Sequence, residues 1–281
     1  MMKRKLKNAA MKYSMYMCGF FVVAVLVFTI GYILYRGVPG LSLEFITGQT
    51  SYITGKIGIL PNILFTFYIV IVTLSAAVPL GIGCAVYLTE YSHGGRIGDM
   101  IGFAVNILTG IPSVIFGLVG MLFFTQIMGL KQGILAGGLT LAMMVLPTVI
   151  VNTKESLEAV PNELREGALA LGSTKWHMIR TVVLPCAADG ILTGCILSVG
   201  RIMGESAALL FTAGFGMKLA GFIGSLTSSS ATLTVALYMY ASEQGKFDKA
   251  YSIAVVLLVL TLIFSKLLPW AVKKTKGREN G

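Results

Sequence analysis

Long apolar runs recur along this chain, and their length decides what they are. A hydrocarbon core about 30 Å thick is crossed by roughly 20 mostly apolar residues in a helix. Runs of that kind fall at Tyr16–Tyr35, Asn62–Leu88, Met100–Met128, Gly133–Val151, Ala187–Leu210 and Tyr251–Val272. The stretch from Met100 to Val151 is almost unbroken, with Lys131 its only charge, and is too long for one crossing. Dividing it at Gly129-Leu130-Lys131-Gln132-Gly133 gives six predicted spans. The apolar piece Ala231–Ala241 is too short to cross, so it is expected to lie in the interface or fold back.

Composition agrees with a bilayer as the solvent. Of 281 residues, 56% are hydrophobic and 12% charged, against about 25% charged in soluble domains. The fold expected is therefore all-α and polytopic. The net charge of +10 follows the spans and forms no dense basic patch among aromatics, which argues against nucleic acid. With six spans both termini share a side. That side carries the cluster from Lys3 to Lys12, Arg96, Lys154, Arg165, Lys175, Arg180 and the tail from Lys273 to Arg278. The other carries Arg36, Lys56, Lys131, Lys218, Lys246 and Lys249. Basic residues mark the cytoplasmic side, so both termini are expected there. The first run is span-length and ends in Tyr35-Arg36-Gly37-Val38-Pro39-Gly40 without a clear cleavage site, which favours an uncleaved span over a signal peptide.

Several chemistries are excluded. Cys18, Cys84, Cys186 and Cys195 show no paired spacing, and His93 and His177 fall in separate loops, so neither a disulfide framework nor a metal site is expected. Gly172-Ser173-Thr174-Lys175 and Gly55-Lys56 lack the glycine spacing of a phosphate-cradling loop. No nucleophile elbow or zinc-protease helix is present either. The chain is expected to have no catalytic residues and to bind no cofactor of its own.

The segment Val160–Pro185 between the fourth and fifth spans reads as two short helices. Pro161 suits a first helical turn, Glu163 and Glu166 suit its positive end, and Gly172 is a natural stop. Ser173 or Thr174 then caps a second helix running toward Pro185. Leu157, Leu164, Ala168 and Leu171 form an apolar stripe, predicting an amphipathic element at the membrane surface. The spacing Glu166-Gly167-Ala168, Gly172, Val182, Leu184-Pro185 resembles the "EAA" loop of ABC importer permeases, with Gly167 for an alanine and Val182 for an isoleucine. In that family the loop docks on a cytoplasmic ATPase. The resemblance thus assigns Glu166, Gly167, Ala168, Gly172, Leu184 and Pro185 to ATPase coupling.

A second resemblance is more specific. Gly110–Phe124, Leu169–Pro185 and Gly200–Gly214 together look like the A-type permeases of bacterial phosphate-specific ABC transporters. Where that family commonly has Gly-Glu-Thr-Ala-Pro, this chain has Gly204-Glu205-Ser206-Ala207-Ala208. The resemblance implies the type I ABC importer permease fold in the bacterial plasma membrane. It also implies a heterodimer with a C-type permease, two ATPase copies that hold ATP and magnesium, and an extracytoplasmic phosphate-binding protein. Importers of molybdate, sulfate or phosphonate share the fold and remain open as alternatives, as does, more remotely, a self-contained secondary transporter. The organisation implied is an N-terminal region, residues 1–61, with the first span and an outer loop, then a permease domain, 62–270, with its coupling loop 153–185, and a basic tail, 271–281.

Arg201 and Glu205 stand out inside the fifth run. An ionisable group at the bilayer centre costs about 2.5–3.5 kcal/mol on insertion scales, so such groups are functional candidates. Arg201 lies 16 residues past Pro185, roughly 24 Å along a helix and past the middle of the span. A spacing of four places Arg201 and Glu205 on one helix face, where they can pair; Glu205 either holds the Arg201 fork in position or accepts a hydrogen bond from a protonated phosphate oxygen. Arg201 is expected to supply positive potential to a passing oxyanion. Glu205 and Ser206 are assigned to the same pathway. A small-polar stripe on the third span, Asn106, Thr109, Ser113 and Gly117, adds Ser113 as a further candidate, beside a Pro112 able to break the helix.

Overall fold

The computed structural model describes residues 2–51, 56–92, 95–217 and 221–279. Helix α1 spans Met2–Gly37, followed by the short α2 (Leu43–Thr47). Two strands, β1 (Gln49–Ser51) and β2 (Lys56–Ile59), pair antiparallel with Gln49 opposite Ile59, a small departure from an all-helical chain. Outside the spans Lys56 reaches Glu44 of α2 at 2.5 Å. Its ammonium holds the Glu44 carboxyl below the ordinary carboxylate range; the attraction is present at neutral pH and is lost as pH falls through that lowered value. Then come α3 (Leu60–Val86), α4 (Arg96–Gly110), α5 (Ser113–Gly120), α6 (Ile134–Glu158), α7 (Asn162–Ala170), α8 (Lys175–Met178) and α9 (Leu184–Gly204). The chain continues through α10 (Ala207–Thr212), α11 (Phe222–Leu226), α12 (Leu233–Tyr238) and α13 (Phe247–Glu279).

Five helices are long and apolar enough to cross, at Met11–Gly40, Leu60–Tyr91, Ile134–Glu158, Lys175–Gly204 and Phe247–Leu267; the fourth of these starts before the predicted run Ala187–Leu210 and stops short of its end. The run Met100–Met128 does not form the single rod its length suggests. It is α4 followed by Ser113–Ile127, bent by 107° at Ile111-Pro112. Pro112 has no N–H to donate back, and the residue before a proline is pushed out of the helical region; Ile111 is extended at φ −77°, ψ 129°. The chain turns where expected, through Gly129 at φ +70°, into α6.

Helix α6 is the most enclosed of the spans and packs between α3 and α9. Close approach is possible because small residues stand at the crossings: a Cβ at Gly138 would lie 2.6 Å from Val72, and one at Gly81 2.6 Å from Val149. Between α6 and α9 the same role falls to Gly190 and Gly194, against Ser156 and Asn152. The main core gathers Phe65, Ile69, Leu141, Met144, Ile202, Leu209, Leu233 and Tyr240. A second cluster, with Val86, Leu157, Met178, Ile179 and Val183, closes the end that carries α7 and α8. The piece Ala231–Ala241 is no span. It folds back into the core, with Ala231, Leu233, Val235, Ala236 and Tyr240 buried, so it does not lie on the surface.

Candidate functional site: a docking helix and a broken helix end

The α7–α8 segment is built by its caps. Pro161 sits just before α7 as its N-cap, one position earlier than expected, and Glu163 lies in the first turn. Gly172 takes φ +82°. Its N–H donates to the Leu169 carbonyl at 2.9 Å and the Ser173 N–H to that of Ala168 at 3.2 Å, the paired bonds that end a helix on a left-handed glycine. Thr174 Oγ1 then accepts from the His177 N–H at 3.4 Å and starts α8. His93 lies outside the described residues.

Pro185 does not end this second helix, as the sequence suggests it should. From Lys175 the chain is helical without interruption to Gly204. A π-turn at Ile179–Val183 runs directly into α9 just before Pro185, so the N–H that proline lacks falls where the regular hydrogen-bond ladder is already interrupted. The apolar stripe also differs. Leu157 belongs to α6 and is buried, and Ala168 packs inward on the second cluster, but Leu164, Leu169 and Leu171 point out, with Leu171 90% exposed. Glu166 and Gly167 are exposed beside them. An apolar face of that kind next to a free carboxylate suits a protein partner better than a bare surface.

Behind α7 lies a polar cluster that the spacing of residues does not reveal. Arg165 is only 14% exposed and Glu90, in the π-turn that ends α3, only 7%; Arg165 Nε donates to Glu90 Oε1 at 3.1 Å. The same guanidinium donates to the Leu157 carbonyl at 2.7 Å, to the Val160 carbonyl and to Asn162 Oδ1 at 3.2 Å. The Lys175 ammonium donates to the Glu90 carbonyl and stands 4.8 Å over the Tyr91 ring. The only signal in the sequence is a carboxylate at a span end facing a loop rich in arginine and lysine.

At the far end of α9 the expected Arg201–Glu205 pair is not formed. The helix stops at Gly204, and Glu205 is extended at φ −84°, ψ 124°. Two contacts hold it there: its Oε1 accepts from the Ala208 N–H at 3.1 Å, and its carbonyl accepts from Thr234 Oγ1 of α12 at 2.8 Å. Thr234 in turn meets Thr232 Oγ1 at 3.0 Å. The first of these bonds depends on Ala208; a proline there has no N–H to give. Ser206 opens α10, its carbonyl accepting from Leu210 N–H at 3.0 Å.

Arg201 stands alone in the last turn of α9, exposed, with no carboxylate within ion-pair distance among the described residues. A cation there is favoured by the negative end of the helix dipole. Gly200 and Gly204 beside it have nothing within 4 Å of a Cβ, so this face is open, unlike the packed face at Gly190 and Gly194. The open face runs back along α9 through Leu197 and Thr193 to Asp189, a second acid in the span, nearer its start.

The small-polar stripe is not continuous. Asn106 and Thr109 lie on α4, where Thr109 Oγ1 donates to the Asn106 carbonyl at 2.6 Å, while Ser113 and Gly117 lie beyond the bend. Gly117 is a packing position: a Cβ would lie 2.7 Å from Ala208 Cα. It thereby seats α5, which begins at the half-buried Ser113, against α10, so that the broken third span and the broken fifth span lie side by side. Replacing Thr234 by valine keeps shape but leaves the Glu205 carbonyl without its donor. The expected cost is about 1–3 kcal/mol, read as a lowered unfolding temperature of the purified protein in detergent. No group of three or more histidine, cysteine or acidic side chains is arranged to hold a metal among the described residues.

Residues 77–272 match the family described as binding-protein-dependent transport system inner membrane component. A probable ABC transporter permease protein, YqgI of Bacillus subtilis, is 33% identical over 96% of each chain. The phosphate transport system permease protein PstA of Haemophilus influenzae is 34% identical over 94% of each. Among solved structures, the MetNI methionine ABC transporter in an inward-facing state aligns with a TM-score of 0.60 at 19% identity, covering 77% of this chain and 94% of that one. A bacterial ABC transporter for the import of alginate aligns at 0.61 and 16% identity, covering 91% and 96%.

Proposed function

This chain belongs to the binding-protein-dependent transport system inner membrane components, and from that premise we propose that it is the A-type permease of an importer of inorganic phosphate. The chain is a permease subunit of an ABC importer, a multi-pass protein of the bacterial plasma membrane without catalytic activity of its own. An ATPase partner and a substrate-binding protein follow from that class. A stand-alone secondary transporter is incompatible with it.

Phosphate is the reading supported by the PstA relatives at 30–34% identity. The observation that carries it here is Arg201, without an ion-pair partner among the described residues, on an open helix face one turn from a break held by Glu205. A guanidinium is the side chain best suited to an oxyanion, since its fork matches two oxygens at once. The open face of α9 is where a second permease of C type closes the path, with Glu205, Ser206 and Ser113 on its margin. ATP and magnesium are held by the ATPase, which docks on Glu166, Gly167, Leu171 and the turn at Gly172, while Ala168 and Leu184 seat the segment on the second cluster and Pro185 follows in α9; both termini face the ATPase in the cytoplasm.

Proteoliposomes containing the chain, a C-type permease, the ATPase and the binding protein test the substrate. ATP-driven uptake of labelled phosphate that unlabelled phosphate competes away, and sulfate and molybdate do not, is the expected result. Uptake of molybdate or sulfate in its place refutes phosphate. In the same vesicles Glu205→Gln is expected to lower uptake, because the amide keeps an acceptor for the Ala208 N–H but puts an NH2 donor where the second carboxylate oxygen accepts from a protonated phosphate oxygen; unchanged uptake and unchanged ATPase coupling remove Glu205 from the pathway.

A further inference from the structure

The polar cluster behind α7 has no role in the EAA spacing or in the path around Arg201, yet it is the most enclosed ionic arrangement among the described residues. Of the ion pairs among the described residues, Lys56–Glu44 and Lys154–Glu158 are largely exposed, whereas in Glu90–Arg165 the carboxylate is buried and the guanidinium mostly covered. We propose that Glu90 is a positioning residue that makes the end of α3 follow the ATPase-docking helix, so that the pull of the ATPase reaches α3 directly as well as α9 through the chain. The proposal rests on the reading of α7 as the docking element.

The geometry supports it in three ways. Arg165 directly precedes Glu166, so its backbone lies within the docking helix while its side chain ties that helix to two partners. One is the end of α6 and the turn after it, through the carbonyls of Leu157 and Val160; the other is the end of α3, through Glu90. Lys175, on the other side of the Gly172 turn, reaches the carbonyl of the same Glu90. Both short helices of the docking segment are therefore fastened to one residue of a different span, 75 and 85 positions earlier in the chain. Finally, Glu90 lies in a π-turn, whose backbone departs from the regular helix and is often found at functional positions. Simple stability is a poor reason for such a pair. A buried ion pair repays its desolvation only when the geometry is good, and apolar replacements often hold a fold as well.

The test separates positioning from folding. Glu90→Gln keeps shape and an acceptor oxygen while removing the charge. Expected is a complex that still copurifies with its ATPase and still hydrolyses ATP when the loaded binding protein is added, with substrate moved per ATP reduced about tenfold, the loss that goes with a hydrogen bond to a charged group. Glu90→Asp, which keeps the charge, should recover some of that ratio. A ratio equal to wild type in Glu90→Gln overturns the proposal. If Glu90→Gln does not assemble, Lys175→Gln, which loosens the second fastening without stranding a buried charge, must show the same uncoupling in smaller degree; wild-type coupling in it also overturns the proposal. Every ratio is taken against the wild-type complex with the same subunits, so the identity of the transported oxyanion does not enter. An ATPase that fails to copurify even with the wild-type chain overturns the docking reading and this proposal together.

Discussion

Arg201→Ala is expected to reduce phosphate uptake by the reconstituted complex about 10- to 150-fold, the range that corresponds to a charged hydrogen-bonding contact worth roughly 1.5–3 kcal/mol. The protein itself should tolerate the change. Arg201 is exposed, makes no ion pair among the described residues, and sits where Gly200 and Gly204 leave open space. Its removal creates no cavity and strands no partner, so the unfolding temperature should barely move while transport falls. Arg201→Lys then divides two mechanisms. Lysine keeps the charge but loses the planar fork, so a contact made with two oxygens predicts a large loss. A role through the local potential alone predicts near-normal transport. Arg201→Ala with full uptake would exclude both.

Gly172→Val is expected to abolish transport by a different route, loss of the ATPase from the purified complex. The backbone at Gly172 has φ +82°, where a side chain costs about 1–2 kcal/mol and a β-branched one more. Space is not the obstacle, since nothing lies within 4 Å of a Cβ there. The strain acts on the turn: the bonds from Gly172 and Ser173 back to Leu169 and Ala168 fix the angle between α7 and the start of α8. Losing them frees the angle at which α7, with Leu164, Glu166 and Leu169 on it, is held relative to α8. Gly172→Asn should be far milder, because asparagine also serves at such helix ends. ATPase retention equal to wild type in the valine variant would show that the turn does not set the docking geometry.

The features legible in the sequence are those decided by neighbours in the chain. Span positions follow from apolar length, the turn before α6 from Gly129 to Gly133, and the caps at Gly172 and Thr174 from residue types that satisfy a helix end locally. The bend at Pro112 is visible as a possibility for the same reason. What escapes depends on distant residues. Nothing in Gly204-Glu205-Ser206-Ala207 forbids a helix, and the run reads as continuous; the break is held by Thr234, 29 residues further on, bonding the Glu205 carbonyl. The Arg201–Glu205 pair fails with it, because a spacing of four brings side chains together only if the helix continues between them. Glu90 and Arg165 are invisible as a pair since 75 positions separate them.

The unbroken helix from Lys175 to Gly204 also has a mechanical meaning. Arg201 stands 26 residues from Lys175, about 39 Å at about 1.5 Å per residue. With the ATPase docked as proposed, a rod of that length is a lever with its handle at the α7–α8 segment and the guanidinium at its tip. Tilting it by about 10° about the Lys175 end carries the tip through about 7 Å, more than the pitch of a helical turn. An angular adjustment that a subunit contact absorbs with little repacking thus becomes, at the other end, a displacement of Arg201 by more than one helical turn, which is the travel the proposed role of its guanidinium requires.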